Sequence, residues 1–308
     1  MKNYYRIMLG RGSSFFEEAY KGNFIAAGFI KDMDLTQHLP DNWRDFNKEF
    51  IPVFLKQHPE KTKVAAGLAC GMLWTIAKGI KEGDIVLCPD GKGNYYTGEI
   101  CGAYEYSKGQ ELPHRRAVHW FSKPIAREEM SDALKNSMGA IGTVSTITKH
   151  AEEIETLISG NRQPIITTND ETIEDASEFA LEKHLEDFLI QNWKSTELGK
   201  SYNIYEEDGE IVGQQYPSDT GNIDILAESK DKKEILVVEL KKGRASDNVV
   251  GQIQRYMGYV KEQLAENGQV VKGVIIGLED DLRIRRALSV ASNIDFYTYK
   301  IHFKLEKR

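Results

Sequence analysis

The 308-residue sequence is 41% hydrophobic and 28% charged, a composition typical of folded globular domains and unlike that of fibrous or disordered chains. It is too long for one ordinary core, which predicts two domains. The net charge of −7 excludes a globally basic protein. Residues 161–308 hold the acidic excess, with 20 basic and 27 acidic residues against 20 of each in residues 1–160. Any surface that binds a polyanion is therefore expected to be local.

The sequence indicates neither membrane insertion nor secretion. The longest apolar stretch, Val64–Ile80, is interrupted by Gly67, Gly71 and Lys78, which argues against a membrane-spanning helix. The N-terminal residues lack the apolar segment of a secretion signal. The cysteines lack the CxxC spacing of a zinc site and are expected to be reduced thiols: Cys70, Cys88 and Cys101. A cytoplasmic protein is predicted.

A polar segment, Leu157–Ser177, is the predicted boundary between two domains. It contains Gly160, Pro164 and the run Thr167–Glu171, and has little apolar surface to bury. The predicted organisation is a first domain over residues 1–160, a linker over 161–176 and a second domain over 177–308.

The first domain is predicted to mix helices and strands, in the α+β class. Its predicted helices are Ser13–Tyr20, Asp41–Gln57 and Arg127–Ser137. Its predicted strands are Asp84–Cys88, Tyr95–Ile100 and Val118–Phe121. The first two strands are expected to form a hairpin across the turn at Gly91–Asn94.

The second domain has the element order of an α/β sheet. An amphipathic helix, Ala176–Asn192, comes first, and acidic residues precede it. The elements that follow are the strands Ile223–Leu226 and Glu234–Leu240, the helix Asn248–Gln263, and the strands Val270–Ile276 and Ile294–Tyr299. This order predicts helices packed around a central mixed sheet.

Charged residues interrupt the second of these strands. Glu239 and Lys241 are two positions apart, so on a strand both point to one face, while Val238 and Leu240 point to the core. Asp224 lies on the neighbouring strand, close enough to share one ion, although the sequence does not fix the register. Such residues are costly on a strand unless they have a use. Carboxylates are the ligands that Mg²⁺ takes, and a lysine beside the metal orients a water or offsets charge. The pattern therefore favours metal-assisted hydrolysis of a phosphodiester.

These residues resemble the D…E-x-K core of the PD-(D/E)xK nuclease superfamily. The similarity extends to the NucS family over roughly residues 177–300. It includes Ala180–Glu186, Gly221–Leu226, Val237–Ser246 and Gly251–Tyr256. One departure is that no Pro-Asp dipeptide precedes the motif, since Pro217 stands seven residues before Asp224.

The resemblance implies a restriction-endonuclease-like α/β domain that cuts DNA. It implies that Asp224 and Glu239 bind Mg²⁺ or Mn²⁺, and that Lys241 assists the attacking water. Gln252 and Tyr256 are four residues apart on one helix face and are expected to lean toward the cleft.

Other positions stay open at this point. Either Glu182 or Glu186 on the first helix supplies another carboxylate, or both are solvated. Arg244 and Arg255 are candidates for phosphate contacts, with a solvated surface as the alternative.

The first domain carries a second resemblance. The segments Lys81–Leu87, Tyr96–Tyr106 and His114–Trp120 are similar to the EVE-like domains of the PUA superfamily, found at the N-terminus of some Mrr-type restriction endonucleases. This implies a small β-barrel with flanking helices. Related domains hold a flipped, often modified, base in an aromatic pocket.

Candidate DNA-binding residues in this domain follow from that resemblance. Stacking on a base needs aromatic faces, and flanking phosphates need cations. The candidates are Trp43, Tyr96, Trp120, Arg115 and Arg116. The alternative is that the aromatics form the barrel core and the arginines a solvated strand end. Trp74, in an apolar helical context, is expected to be structural.

The sequence thus predicts a Mg²⁺-dependent DNA endonuclease that restricts modified DNA. Two alternatives stay open: a repair nuclease for mismatched, branched or single-stranded DNA, and a modified-base reader that does not cut. RNA is not excluded as a substrate. Cutting both strands commonly takes two active sites, which favours a homodimer. The NucS similarity does not extend into the first domain, so mismatch specificity is not carried over.

Overall fold

The computed structural model describes residues 2–139, 142–159, 185–207, 210–241, 248–266, 268–279 and 282–299. The chain divides into two units, Met1–Thr167 and Thr168–Arg308. The predicted linker 161–176 and the first part of the predicted helix Ala176–Asn192 lie outside the described residues. No helix in the described ranges is long and apolar enough to cross a membrane.

The first unit is built on one mixed sheet with helices around it. The strands described are β1 Tyr4–Ile7, β2 Phe24–Ala27, β3 Ile85–Pro89, β4 Asn94–Tyr106, β5 His114–Trp120, β6 Ile125–Ala126 and β7 Val144–Thr146. The helices described are α1 Phe16–Gly22, α2 Trp43–Gln57, α3 Lys63–Trp74, α4 Asp132–Met138 and α5 Ala151–Ser159.

The strand order is β2-β5-β4-β3-β1-β7, and β6 pairs with β4. Strands β1 and β3 are parallel, whereas the other neighbours are antiparallel. In the part of the chain that the structure describes, β2 and β7 end the sheet and do not pair with each other. The predicted closed barrel is therefore not confirmed. The predicted hairpin of β3 and β4 is confirmed, with Ile85 opposite Glu99.

Capping residues set the helix boundaries in this unit. Asn42 accepts a hydrogen bond from the Asp45 backbone amide at 3.0 Å, which starts α2 two residues later than predicted. The predicted helix Arg127–Ser137 is interrupted, because a short 3-10 turn precedes Ser131 and α4 begins after it. Ser131 Oγ caps α4 by accepting from the Leu134 amide at 3.1 Å.

The second unit is built on a second mixed sheet. The strands described are β8 Tyr202–Ile204, β9 Glu206–Glu207, β10 Glu210–Ile211, β11 Gln214–Ser218, β12 Gly221–Ser229, β13 Glu234–Leu240, β14 Val270–Gly277 and β15 Ile294–Thr298. The helical segments described are α6 (185–192), α7 Glu197–Ser201, α8 Asn248–Tyr259 and α9 Leu282–Leu288. A π-helical turn, Val260–Leu264, extends α8.

The main sheet runs β11-β12-β13-β14-β15, with β8 also paired to β12. Strands β11, β12 and β13 are antiparallel neighbours, and β13, β14 and β15 run parallel. The predicted mixed sheet is confirmed, and so are the strand positions that Asp224 and Glu239 were assigned. Helix α8 packs against β13 and β14.

Side-chain alternation separates a core face from a polar face. On β12 and β13, Ile225, Val238 and Leu240 are buried in a cluster with Trp193 and Tyr202. Asp224 and Glu239 alternate with these residues and so occupy the other face. This is the arrangement that the sequence predicted for Glu239, Val238 and Leu240.

Candidate active site

Two carboxylates meet across the β12–β13 ladder. Ile225 pairs with Val238, and continuing that register places Asp224 opposite Glu239. The backbone amide of Leu240 donates to Asp224 Oδ2 at 2.7 Å, which fixes the Asp224 side chain beside the neighbouring strand. Glu239 is only 2% exposed. The alignment of β12 with β13, which the sequence did not fix, thus places Asp224 and Glu239 side by side.

Lys241 follows β13 directly and turns toward the same pair. Its Nζ lies 2.8 Å from Glu239 Oε1, and its side chain is 31% exposed. The Lys241 backbone amide donates to Ile276 O at 2.7 Å, so the main chain is still held by β14 at this point. The ammonium group therefore reaches a buried carboxylate from a partly open position.

The surroundings of Asp224 disfavour the ionised form of its carboxyl group. Burial raises the pKa of Asp224 well above its usual range, and the charge of Glu239 raises it further. The more distant Glu186 acts in the same direction, while the Leu240 amide and Lys241 oppose the shift. Like charges at close range favour the entry of a cation.

A third carboxylate approaches from α6. Glu186 is 7% exposed, and it accepts hydrogen bonds from Gln214 Nε2 at 2.6 Å and Gln215 Nε2 at 2.7 Å. Gln215 Nε2 also donates to Asp224 Oδ1 at 3.0 Å. Glu186 is thereby linked to the carboxylate pair, whereas the alternative, Glu182, lies outside the described residues.

Sequence reasoning missed Gln214 and Gln215. On a regular strand these adjacent residues point to opposite faces, so at most one is expected at the site. The sequence offered only a weak signal for them, namely two adjacent glutamines shortly before the Gly221–Leu226 motif.

Helix α8 brings a phenol toward the carboxylates. Gln252 Nε2 donates to Tyr256 Oη at 3.2 Å, and Tyr256 is 3% exposed. Burial raises the pKa of Tyr256. The hydrogen bond from Gln252 opposes this shift, and the charges of Glu239 and Asp224 add to it. Gln252 and Tyr256 thus lie where the sequence placed them, and their catalytic role stays a prediction.

A glycine makes the position of Tyr256 compatible with β12. Gly221 has φ +138°, and a Cβ there would lie 2.8 Å from Tyr256 Oη. Among the other candidates in this part of the sequence, Arg255 is exposed on α8, and Arg244 lies outside the described residues. Their phosphate contacts stay predictions.

The donor set fits a hard divalent cation. The described residues contain no group of three or more His, Cys, Asp or Glu side chains arranged to hold a metal, and the candidate donors are the two carboxylates of Asp224 and Glu239. Mg²⁺ is commonly held by one or two carboxylates, with water and phosphate oxygens completing its octahedron. A pair of mutually repelling carboxylates beside a polar face meets that requirement.

In the first unit, two candidate aromatics share a cluster. Tyr20 lies between Tyr96 and Trp120, with ring centroids 4.7 and 5.7 Å away, and Phe16 lies 4.8 Å from Tyr96. Tyr96 and Trp120 are half-buried, and so is Trp43 at the start of α2. The cluster thus exposes part of its aromatic surface.

Trp74 fulfils the structural role that was predicted for it. It is half-buried against the core, and its Nε1 donates to Pro40 O at 2.9 Å.

The prediction for Arg116 needs correction. Arg116 is 5% exposed, and its guanidinium donates to main-chain carbonyls, including Gly102 O at 2.7 Å and Ile80 O at 2.9 Å. It supports the fold, and we do not retain it as a phosphate contact. Arg115 bonds Glu18 at 3.2 Å and lies over the Phe24 ring. A DNA contact by Arg115 would compete with these partners.

Comparison with known proteins separates the two units. Residues 5–148 match the model of a domain of unknown function, DUF8426. Residues 181–298 match the model of the endonuclease NucS C-terminal domain. Residues 181–298 of the second unit are therefore similar to the NucS C-terminal domain, as the motifs predicted. The EVE-like assignment of the first unit is not confirmed.

Individual relatives cover the chain only in part. Endonuclease NucS of Methanocaldococcus jannaschii is 32% identical over 74 residues, which is 24% of this chain and 27% of that protein. A repair endonuclease from Pyrococcus abyssi is 16% identical with a TM-score of 0.31, over 69% of this chain and 66% of that one. EndoMS in complex with double-stranded DNA is 14% identical with a TM-score of 0.33, over 71% of this chain and 66% of that one. The chain thus spans about a quarter of the curated relative.

Proposed function

We propose that this chain is a metal-dependent DNA endonuclease whose cutting site is formed by Asp224, Glu239 and Lys241. The observation that carries the proposal is the meeting of the two carboxylates across β12 and β13, with Lys241 Nζ 2.8 Å from Glu239. The NucS C-terminal domain match over residues 181–298 supports the same assignment. Mg²⁺ is the proposed cofactor, and Mn²⁺ is expected to substitute for it.

Asp224 and Glu239 would hold the ion. When bound, the metal polarises the phosphate and lowers the pKa of an attacking water. Lys241 lies beside Glu239, where its ammonium group offsets negative charge on the reacting phosphate or orients the water. Tyr256 holds its proton at neutral pH, as a tyrosine ordinarily does, and its raised pKa acts in the same direction, so its hydroxyl is available to donate toward a phosphate or water oxygen. Glu186 adds an acceptor on the α6 side.

Cleavage of plasmid and linear DNA tests the site. Glu239→Gln and Lys241→Met are expected to lower the rate at least 100-fold in Mg²⁺, and EDTA should stop the wild type. The matched controls are Glu262→Gln and Lys261→Met, which change two exposed residues in the π-helical turn after α8. Both controls should cut at the wild-type rate. Wild-type cutting by Glu239→Gln would overturn the proposal.

The finer proposal is that the enzyme restricts modified DNA. The supporting observation is the partly exposed cluster of Tyr20, Tyr96 and Trp120 in a unit separate from the nuclease domain. One panel of unmodified, methylated and hydroxymethylated duplexes, mismatched duplex, single strands and RNA tests it. Preference for a modified duplex supports restriction, whereas preference for mismatched or single-stranded DNA supports repair. Binding without cutting supports a reader.

A homodimer is the proposed assembly for cutting both strands. Mass measurement by light scattering, with and without a DNA duplex, tests it. A monomer in both conditions would leave a nick in one strand as the expected product.

A further inference from the structure

Gln215 has an unusual backbone for a residue within a strand. Gln214 pairs with Ile225 and Tyr216 pairs with Ile223, so Gln215 lies opposite Asp224 in the β11–β12 ladder. Its φ is +50°, in the left-handed region that residues other than glycine adopt at a steric cost. Non-glycine outliers of this kind concentrate where a site requires them.

The left-handed turn breaks the alternation of the strand. As a result, the side chains of both Gln214 and Gln215 reach Glu186, at 2.6 and 2.7 Å. Only Gln215 also reaches Asp224, at 3.0 Å, among the hydrogen bonds described for these two glutamines. One amide nitrogen carries two protons and so serves two carboxylates at once.

The consequence for Asp224 is that hydrogen bonds orient both of its oxygens. Oδ2 accepts from the Leu240 amide at 2.7 Å, and Oδ1 accepts from Gln215 at 3.0 Å. Each carboxylate oxygen can accept a second interaction. The side chain is therefore held in one orientation while both oxygens can still accept a further interaction.

We propose that Gln215 is a positioning residue that fixes Asp224 and Glu186 relative to each other, and that its left-handed backbone is part of this device. The proposal rests on the nuclease function proposed above. Groups that bond to metal ligands typically change metal affinity or activity 10–100-fold when they are replaced, and Gln215 holds that position here.

The test removes the reach of the amide while the left-handed backbone conformation is kept. Gln215→Asn keeps an amide and tolerates positive φ, but it is one methylene too short to join both carboxylates. Gln215→Gly keeps the backbone conformation and removes the side chain. Lys232→Asn is the matched control, since Lys232 also has positive φ, +61°, in the exposed turn between β12 and β13.

The first readout is Mn²⁺ binding to the DNA-free protein by calorimetry, with circular dichroism confirming folding. Both Gln215 variants are expected to lose 10–100-fold in Mn²⁺ affinity, and Lys232→Asn should bind as the wild type does. The second readout is cleavage, where the Mg²⁺ concentration for half-maximal rate should rise in parallel.

The outcomes distinguish the two proposals. Unchanged Mn²⁺ affinity in either Gln215 variant would overturn the positioning role and leave the nuclease intact. Loss of affinity in both variants supports the role, even if no tested DNA is cut. A wild-type protein that binds no Mn²⁺ would contradict the metal-dependent function itself, and with it the positioning role.

Discussion

Glu239 illustrates, at the scale of single residues, how the proposed active site opposes folding. Its carboxylate is buried, faces Asp224, and is offset only in part by Lys241. Without a cation the folded state keeps these like charges together, whereas the unfolded chain separates them. Sites arranged in this way trade stability for function.

Glu239→Gln is therefore expected to stabilise the metal-free protein by on the order of 1 kcal/mol, since it removes a buried charge and its repulsion of Asp224. The measurement is thermal unfolding in EDTA. Addition of Mn²⁺ should raise the unfolding temperature of the wild type and leave that of the variant unchanged. A variant less stable than the wild type in EDTA would show that the Lys241 ion pair outweighs the repulsion.

Gly221→Ala tests the contact between β12 and Tyr256. A Cβ at φ +138° would lie 2.8 Å from Tyr256 Oη, so either the phenol or the β12 backbone has to move. We expect a loss of about 1–3 kcal/mol in stability and a slower reaction. Gly268→Ala is the control, because Gly268 has φ +88° and open space around it. Equal cleavage rates for the two variants would mean that the position of Tyr256 does not matter.

At the scale of elements, hydrophobic alternation predicts which face of a strand a side chain occupies, but it does not predict how two strands are aligned. The alternation of Val238, Glu239 and Leu240 assigned the faces of β13, and the structure agrees. The pairing of Asp224 with Glu239 needed the β12–β13 register, which depends on turn geometry and was not available from the sequence. Gln215 was not predicted as a site residue, because one left-handed residue breaks the two-residue alternation on which strand predictions depend.

A peripheral ion pair joins three strands at the other end of this sheet. Glu234 on β13 bonds Lys272 of β14 at 2.7 Å, and the Tyr202 hydroxyl of β8 donates to the same carboxylate. These hydrogen bonds lower the pKa of Glu234. A lowered pKa in the folded state means that the bonds stabilise the protein above the ordinary pKa of a glutamate. Stability is then lost as pH falls through the lowered value.

Glu234→Gln should accordingly cost up to about 1 kcal/mol at pH 7, a small value because the pair is partly exposed. The difference from the wild type should shrink as the pH falls below the usual range of a glutamate. Urea unfolding at pH 7 and at acidic pH measures both values. A difference that grows on acidification would contradict the assigned sign.

At the scale of the whole molecule, the two units differ in how far sequence explains them. The second unit was predictable because its candidate site residues lie in an ordered set of motifs along consecutive elements. In the first unit, β1, β2 and β7 have only three or four residues each, too few to show alternation. Arg116 resembled a surface cation in sequence, because its burial depends on Gly102 of strand β4 and on the Ile80 carbonyl, six residues beyond the end of α3.

The aromatic cluster of the first unit gives the prediction that links this unit to substrate choice. Stacking on a base contributes about 1–3 kcal/mol, so loss of one ring should weaken binding roughly 5–150-fold. Tyr96→Leu in the Glu239→Gln background is expected to lose this affinity for modified duplex and to bind unmodified duplex as its parent does. Fluorescence anisotropy at a fixed salt concentration measures both.

Tyr106→Leu is the matched control, because Tyr106 also lies on β4, its hydroxyl donates to Lys31 O, and it does not belong to the cluster of Tyr20, Tyr96 and Trp120. Parallel thermal unfolding separates lost stacking from lost core packing, since Phe16 and Tyr20 also contact the Tyr96 ring. Equal weakening on modified and unmodified DNA would assign the cluster to general DNA binding. No weakening in a folded variant would assign it to the core and move substrate selection to the nuclease domain.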